Sequence, residues 1–195
     1  MATLLFNPEK HEYTLDGARL PSVTQVLEEM GLTPQYPSGP YRVRGQRVHQ
    51  ACCLFDFGEL DQYELGADLM PYVERYKRLV ADLKPIYELT EQAMYHPVHC
   101  YAGTVDRVGR LFNERFVGDI KTGATGPETG LQLAGYAILV DPRDFMGIRR
   151  YKFDLSEGDG KLVKYDDPQD FDGFLGILDH WKWLQKKKNK NKTRA

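Results

Sequence analysis

The sequence predicts an α/β (α+β) fold with a mixed central β-sheet flanked by helices. Three observations lead there. After an N-terminal hairpin and helix, the hydrophobic period switches in the order αα-βββ-α-ββ-α, with no internal repeat. The length of 195 residues suits one domain, since domains run to about 100–200 residues. Hydrophobic residues make up 42% and charged residues 28% of the chain, a globular balance that excludes disordered, collagen-like and coiled-coil classes.

The elements follow in order. Leu4–Phe6, Tyr13–Leu15 and Arg19–Leu20 read as a hairpin turning at Asp16-Gly17. Ser22 is placed to cap a helix carrying Val23, Val26, Leu27 and Met30, with Gly31 as its left-handed end. Pro34, Pro37, Gly39 and Pro40 mark residues 33–41 as a loop able to carry function. A helix is expected from about Val43 to Phe55, a linker over Gly58–Gly66, and a second helix from about Asp68 to Leu83, stopped by Pro85.

The period then changes to that of strands. Glu88–Tyr95, Cys100–Leu111 and Arg115–Lys121 are rich in Tyr, Val, Thr and Phe, with a turn at Asn113-Glu114. Thr125 and Glu128 form a capping-box pattern before a helix reaching about Val140. Strands Ile148–Leu155 and Lys161–Tyr165 form a hairpin through Glu157–Gly160, and a helix from about Pro168 runs into a lysine tail expected to fray. The organisation is therefore one domain over residues 1–185 and a basic C-terminal tail over 186–195.

Charge is distributed unevenly. The net charge is −2, yet Lys182, Lys186, Lys187, Lys188, Lys190, Lys192 and Arg194 lie in the last fourteen residues without an acid. Setting these seven aside leaves 19 of the 26 basic residues against 28 acidic ones, so the body is near −9. A simple basic nucleic-acid binder is excluded. The N-terminus lacks a basic segment followed by a long apolar one, and no apolar run approaches the ~20 residues of a membrane helix, so a soluble cytoplasmic protein without membrane contact is expected. Three cysteines, Cys52, Cys53 and Cys100, suit a reducing compartment and are too few for a four-cysteine iron–sulfur cluster. His96-x-x-His99-Cys100 could hold zinc only with ligands from elsewhere and reads more simply as a polar loop.

Asp-x-Lys occurs three times, as Asp82-Leu-Lys84, Asp119-Ile-Lys121 and Asp159-Gly-Lys161, against about one expected by chance. Context separates them. The first ends an amphipathic helix and the third lies in a hairpin turn. Asp119 and Lys121 end a short apolar strand, where alternation puts both side chains on one face and Ile120 in the core. A carboxylate for a divalent cation beside an ammonium for water and phosphate is what metal-assisted phosphodiester hydrolysis needs. Asp106 lies thirteen residues earlier on the preceding strand, where the hairpin makes it a neighbour and a second carboxylate. Glu91, one strand further back, has the chemistry to support the site, with its side-chain direction open.

Gly103-Thr-Val-Asp106, Val117-Gly-Asp-Ile-Lys-Thr-Gly123 and Gln132-x-x-x-Tyr136 resemble motifs II and III and the Gln-x-x-x-Tyr motif of RecB-type nucleases in the PD-(D/E)xK superfamily. Gly45-Gln-Arg-Val-His49 resembles the Gly-x-x-x-His motif of that group. Leu20–Leu27 resembles the entry segment of its small stand-alone, phage-type exonucleases, including the mitochondrial genome maintenance exonuclease type. The similarity spans about residues 11–140, with five motifs in the expected order. It implies a restriction-endonuclease-like αβββαβ core and a Mg²⁺- or Mn²⁺-dependent deoxyribonuclease using one or two ions. The implied metal ligands are His49, Asp106, Asp119 and the Ile120 carbonyl, and Lys121 would act on the attacking water. Asp119 stands where many relatives have Glu, a shorter arm.

Further residues are candidates for substrate contact. Gln132 and Tyr136 lie one turn apart on a helical face, suited to touching nucleotide or ordering the site. Thr122 follows the catalytic lysine. Arg42, Arg44 and Arg47 cluster near His49 as phosphate-binding cations, and Tyr36, Tyr41 and Tyr101 are candidates to stack on unpaired bases. The expected function is a DNA exonuclease in recombination, repair or end processing, acting on single-stranded DNA or DNA with free ends. If phage-encoded, it would act in the host cytoplasm, where a recombination or single-strand-binding protein is a candidate partner. A catalytically silent nuclease-fold binding module and a structure-selective endonuclease are the alternatives, the second because end selection depends on channel shape and on loops such as 33–41.

Overall fold

Three short strands open the chain where the sequence predicts a hairpin: β1 (Leu4–Asn7), β2 (Glu12–Leu15) and β3 (Ala18–Leu20), paired antiparallel in that order. The structure, a computed structural model, describes residues 2–33 and 39–192. Asp16 and Gly17 take φ of +48° and +82°, so the two-residue loop between β2 and β3 has the left-handed backbone that matches strand twist. Helix α1 (Val23–Glu29) begins as expected, with the Gln25 amide donating to Ser22 Oγ at 3.0 Å and Val23, Val26 and Leu27 buried. Gly31 follows at φ +71°, the predicted left-handed end.

Helix α2 (Pro40–Asp56) starts three residues earlier than predicted, because a proline in the first turn loses no helical hydrogen bond. Helix α3 (Met70–Leu83) buries Val73 and Tyr76 and ends on Lys84 in the left-handed conformation, ahead of Pro85. The central sheet then forms in chain order from β4 (Ile86–His96), β5 (Tyr101–Leu111), β6 (Glu114–Lys121), β7 (Arg149–Asp154) and β8 (Lys161–Tyr165). Pairing is antiparallel throughout except between β6 and β7, which are parallel. Parallel neighbours need a crossover, and α4 (Glu128–Val140) supplies it. The last helix is α5 (Gln169–Lys192). The result is the α+β arrangement and the αβββαβ core that the motifs imply.

Each sheet face has its own core. On one, α1, α4 and α5 bring Val26, Leu133, Ala137 and Phe174 against Tyr101, Val105 and Val117. On the other, α2 and α3 set Val48, Cys52 and Tyr76 against Phe116, Ile120 and Phe153. Helix α4 is buried along nearly its whole length, so truncating Leu133 to Ala would cost about 2–5 kcal/mol. Burial on both faces holds β6, which carries Asp119 and Lys121, at a fixed depth.

Two local expectations, a turn and a capping box, are corrected. The β5–β6 turn falls on Phe112 and Asn113, at φ +53° and +65°, because Val108 and Val117 must both face the α4 core and this pairs Leu111 with Glu114. Thr125 is not a helix cap; its Oγ accepts from Lys152 Nζ at 2.7 Å, and α4 starts three residues later. Glu128 is the first residue of α4 and accepts the Gly126 amide at 2.9 Å, so the Thr125–Glu128 capping box does not form. Helix α5 runs as far as Lys192, so the described part of the lysine tail is helical.

Candidate active site

The site forms where β5 and β6 part. Their ladder runs from Leu111↔Glu114 to Arg107↔Gly118 and stops, while β6 stays paired with β7 as far as Lys121↔Asp154. The Ile120 amide, left without a β5 carbonyl, donates instead to Asp106 Oδ2 at 2.8 Å. A buried amide needs an acceptor, and here a side chain replaces backbone. Asp106 is thereby fixed in the opening between the strands.

Two more elements aim at the same point. From α2, His49 Nδ1 lies 3.2 Å from Asp106 Oδ2 and 3.9 Å from Glu91 Oε1, and Nε2 lies 2.8 Å from the Ile120 carbonyl oxygen. From β4, Glu91 arrives with φ +50°, a left-handed kink inside a strand. Such backbone costs about 1–3 kcal/mol and concentrates at functional sites. It answers the question of direction that alternation alone left open. Among the described residues, His49, Glu91 and Asp106 form the one group of three ligand atoms within 4.8 Å of one another.

Asp119 and Lys121 sit beside this group as the strand pattern predicts, with Ile120 in the opposite core. Lys121 Nζ is 2.8 Å from Asp119 Oδ2 and donates to Gln132 Oε1 at 2.9 Å. The ion pair with Asp119 lacks hydrogen-bond alignment, so Asp119 Oδ2 is buried without a hydrogen bond. Gln132 Nε2 donates in turn to the Tyr136 hydroxyl at 3.1 Å. Gln132 and Tyr136 thus form a relay that ends on the lysine, and Tyr136 is buried beneath it.

The electrostatics follow from crowding charges out of water. Burial works against a charged His49, but the carboxylates of Asp106, Glu91 and Asp119 outweigh it and raise its pKa to about 9. Burial and the charge of Asp106 push Glu91 up to about 7. Asp119 is raised by burial, with Asp106 adding to the effect and Lys121 opposing it, while Asp106 is held low against its burial by His49. Burial disfavours the Lys121 ammonium, yet Asp119 and Asp106 keep it protonated, so it acts as a donor. Three buried or half-buried carboxylates, one with an orphaned oxygen, share an imidazole and a nearby carbonyl. This oxygen-rich donor set fits Mg²⁺ or Mn²⁺.

An open cleft of about 750 Å³ lies over the site, lined among others by Tyr41, Arg44, His49, Lys121, Thr122 and Gln132. Arg44 lies between the rings of Tyr41 and Tyr72, at 5.2 and 5.1 Å from their centroids, and Arg42 also faces the cleft. Other candidates fall elsewhere. Arg47 pairs with Asp68 at 3.2 Å and is not part of the cleft wall. Tyr101 is fully buried, donating to the Gly135 carbonyl at 2.8 Å, so it has no face for a base. Tyr36 lies outside the described residues. His96 Nδ1 accepts the Val98 and His99 amides, which makes the His96–Cys100 stretch a turn.

No protein-family model and no curated protein matches the chain. Among solved structures, a candidate exonuclease from Eubacterium rectale is similar at 12% identity over 79% of this chain and 68% of that one, with a TM-score of 0.47. The alkaline exonuclease LHK-Exo from Laribacter hongkongensis is similar at 14% identity over 87% and 93%, with a TM-score of 0.28. Its complex with dAMP gives 15% identity over 88% and 94%, with a TM-score of 0.29.

Sequence reasoning missed the groups behind the site. Arg107 is fully buried and reaches Asp56, Tyr76 and Glu91. Lys152, opposite Asp119 in the β6–β7 register, pairs with Asp154 at 3.0 Å and holds Thr125 at the end of the loop that lines the cleft. The available signal was a charge inside an apolar strand, as in Val105-Asp106-Arg107-Val108.

Proposed function

We propose that this chain is a metal-dependent deoxyribonuclease, and that it acts as an exonuclease in recombination, repair or end processing. The observation that carries this reading is the buried Asp119 carboxylate, charge-paired with Lys121 but without an aligned hydrogen bond at Oδ2, beside the His49–Glu91–Asp106 group on the floor of an open cleft. His49, Asp106 and Asp119 would hold Mg²⁺ or Mn²⁺, one or two ions, with the Ile120 carbonyl completing the set and Glu91 alongside. A bound ion would polarise the phosphate and lower the pKa of the attacking water. Lys121, held by Gln132, would orient that water and offset phosphate charge.

The substrate is DNA, single-stranded or with free ends. An acidic body must concentrate its cations locally, and Arg42, Arg44 and Lys121 do so along the cleft, with Thr122 and Gln132 beside them. The exposed Tyr41 ring, backed by Arg44, offers a stacking face for an unpaired base. A silent binding module has no use for a complete set of ligands and lysine, so the intact site favours turnover.

The test is incubation with end-labelled single- and double-stranded DNA in Mg²⁺, Mn²⁺ or EDTA, beside Asp119→Ala and Lys121→Ala. Stepwise shortening that needs metal and both residues is expected. Internal cuts without shortening would instead favour the structure-selective endonuclease. DNA binding without cleavage by any protein would leave only the binding module.

A further inference from the structure

We propose that Arg107 is a positioning residue for the metal site, fixing the Glu91 carboxylate opposite His49 and Asp106. This rests on the metal-dependent reading above. The guanidinium makes contacts on two sides. Toward the core, Nε donates to Asp56 Oδ2 at 2.7 Å and to the Tyr76 hydroxyl at 3.0 Å, and the rings of Tyr76 and Tyr87 flank it at 5.6 and 5.7 Å. Toward the site, Nη1 donates to the Asp106 carbonyl at 2.6 Å and to Glu91 Oε1 at 3.2 Å. One planar fork therefore ties the core to a residue of the site.

The contact solves a problem that the site creates. Glu91 is half-exposed, stands on strained backbone and faces a second carboxylate across the ladder, so repulsion and rotamer freedom would both swing it outward. Arg107 Nη1 and His49 Nδ1 both approach Glu91 Oε1, at 3.2 and 3.9 Å, so Arg107 holds that oxygen with a fixed positive charge anchored in the core. Stability alone is a poor account of the network. A buried ion pair stabilises little, and this one leaves Arg107 Nη2 and Asp56 Oδ1 buried without hydrogen bonds.

Lysine keeps the charge but has one donor centre, which cannot span Asp56 and Glu91 together. The test is Mn²⁺ affinity by calorimetry for wild type, Arg107→Lys, Glu91→Gln and the double variant, each first shown to be folded by circular dichroism and thermal unfolding. Arg107→Lys is expected to weaken Mn²⁺ binding about 10-fold or more, as partners of metal ligands do. In the Glu91→Gln background the same change should have almost no effect. Should Arg107→Lys unfold, Tyr76→Phe removes one anchor while keeping the ring, and its loss of affinity should likewise vanish in that background. Wild-type affinity in Arg107→Lys, or an equal loss with and without Glu91, would overturn the proposal. Wild-type protein that binds no Mn²⁺ is a separate result and overturns the metal reading beneath it.

Discussion

The Asp106 carboxylate accepts the Ile120 amide hydrogen at 2.8 Å and so closes the ladder at the point where β5 leaves β6. The same side chain is a candidate metal ligand, and two substitutions separate the two roles. Asp106→Asn keeps an oxygen for the amide but loses the charge paired with His49, so it should lose that pair's share of stability while abolishing metal-dependent cleavage. Asp106→Leu leaves the buried amide unpaired and should cost a further ~1–3 kcal/mol in urea unfolding. Equal stability of the two variants would show that the hydrogen bond contributes nothing.

Lys121 depends on Gln132 for its direction. Lys121→Met should lower kcat by about 10²-fold or more, the range for removing one charged donor aimed at the developing charge. Gln132→Leu leaves the lysine in place but unguided, and a misplacement of about 1 Å can cost about 10²-fold, so kcat should fall steeply with KM little changed. Tyr136→Phe, one bond further back, should act in the same direction and less. A change confined to KM would move Gln132 from ordering the lysine to binding substrate.

The pH dependence of stability has a definite sign. With metal removed by EDTA, His49 is raised from 6.5 to about 9 and Glu91 from 4.5 to about 7, so the folded chain binds these protons more tightly than the unfolded one. Stability from His49 is therefore complete below 6.5 and lost as pH rises through about 9, and that from Glu91 fades between 4.5 and about 7. The Tm should fall over the His49 window, and His49→Gln should flatten that fall. Metal must displace the imidazole proton, so Mn²⁺ affinity should rise over the same window with proton release measurable in buffers of different ionisation enthalpy.

The end of α5 is an exposed cationic helix carrying Lys186, Lys187, Lys188 and Lys190. Removing residues 186–195 should weaken DNA binding and make its salt dependence shallower, by about 0.7 in log–log slope per lost contact to a single strand. Folding should be unaffected. Unchanged binding would confine the tail to solubility.

Element types and order were legible because hydrophobic period reports which face is buried, and each α/β layer buries its faces in a different period. Ser22 and Gly31 show how local chemistry alone marks a helix's two ends. The turn at Phe112-Asn113 was misplaced by one residue because its register is imposed by Val108 and Val117 across the strands, at a distance from the turn itself. Thr125 failed as a cap for a similar reason, since Lys152, 27 residues away in the chain, competes for its hydroxyl.

The same division holds at the site. The chain by itself determined Asp106, Asp119 and Lys121 as a set, because strand alternation and a short hairpin are local geometry. Only the tertiary structure decided that Glu91 turns inward on a left-handed kink and that Gln132 is bonded to the lysine. It also decided that Arg47 and Tyr101 are committed elsewhere, and that Arg107 stands behind the carboxylates. These outcomes rest on burial and charge pairing between segments remote in sequence. A side chain's partner in the core is chosen by what else is packed there, and residue spacing does not encode it.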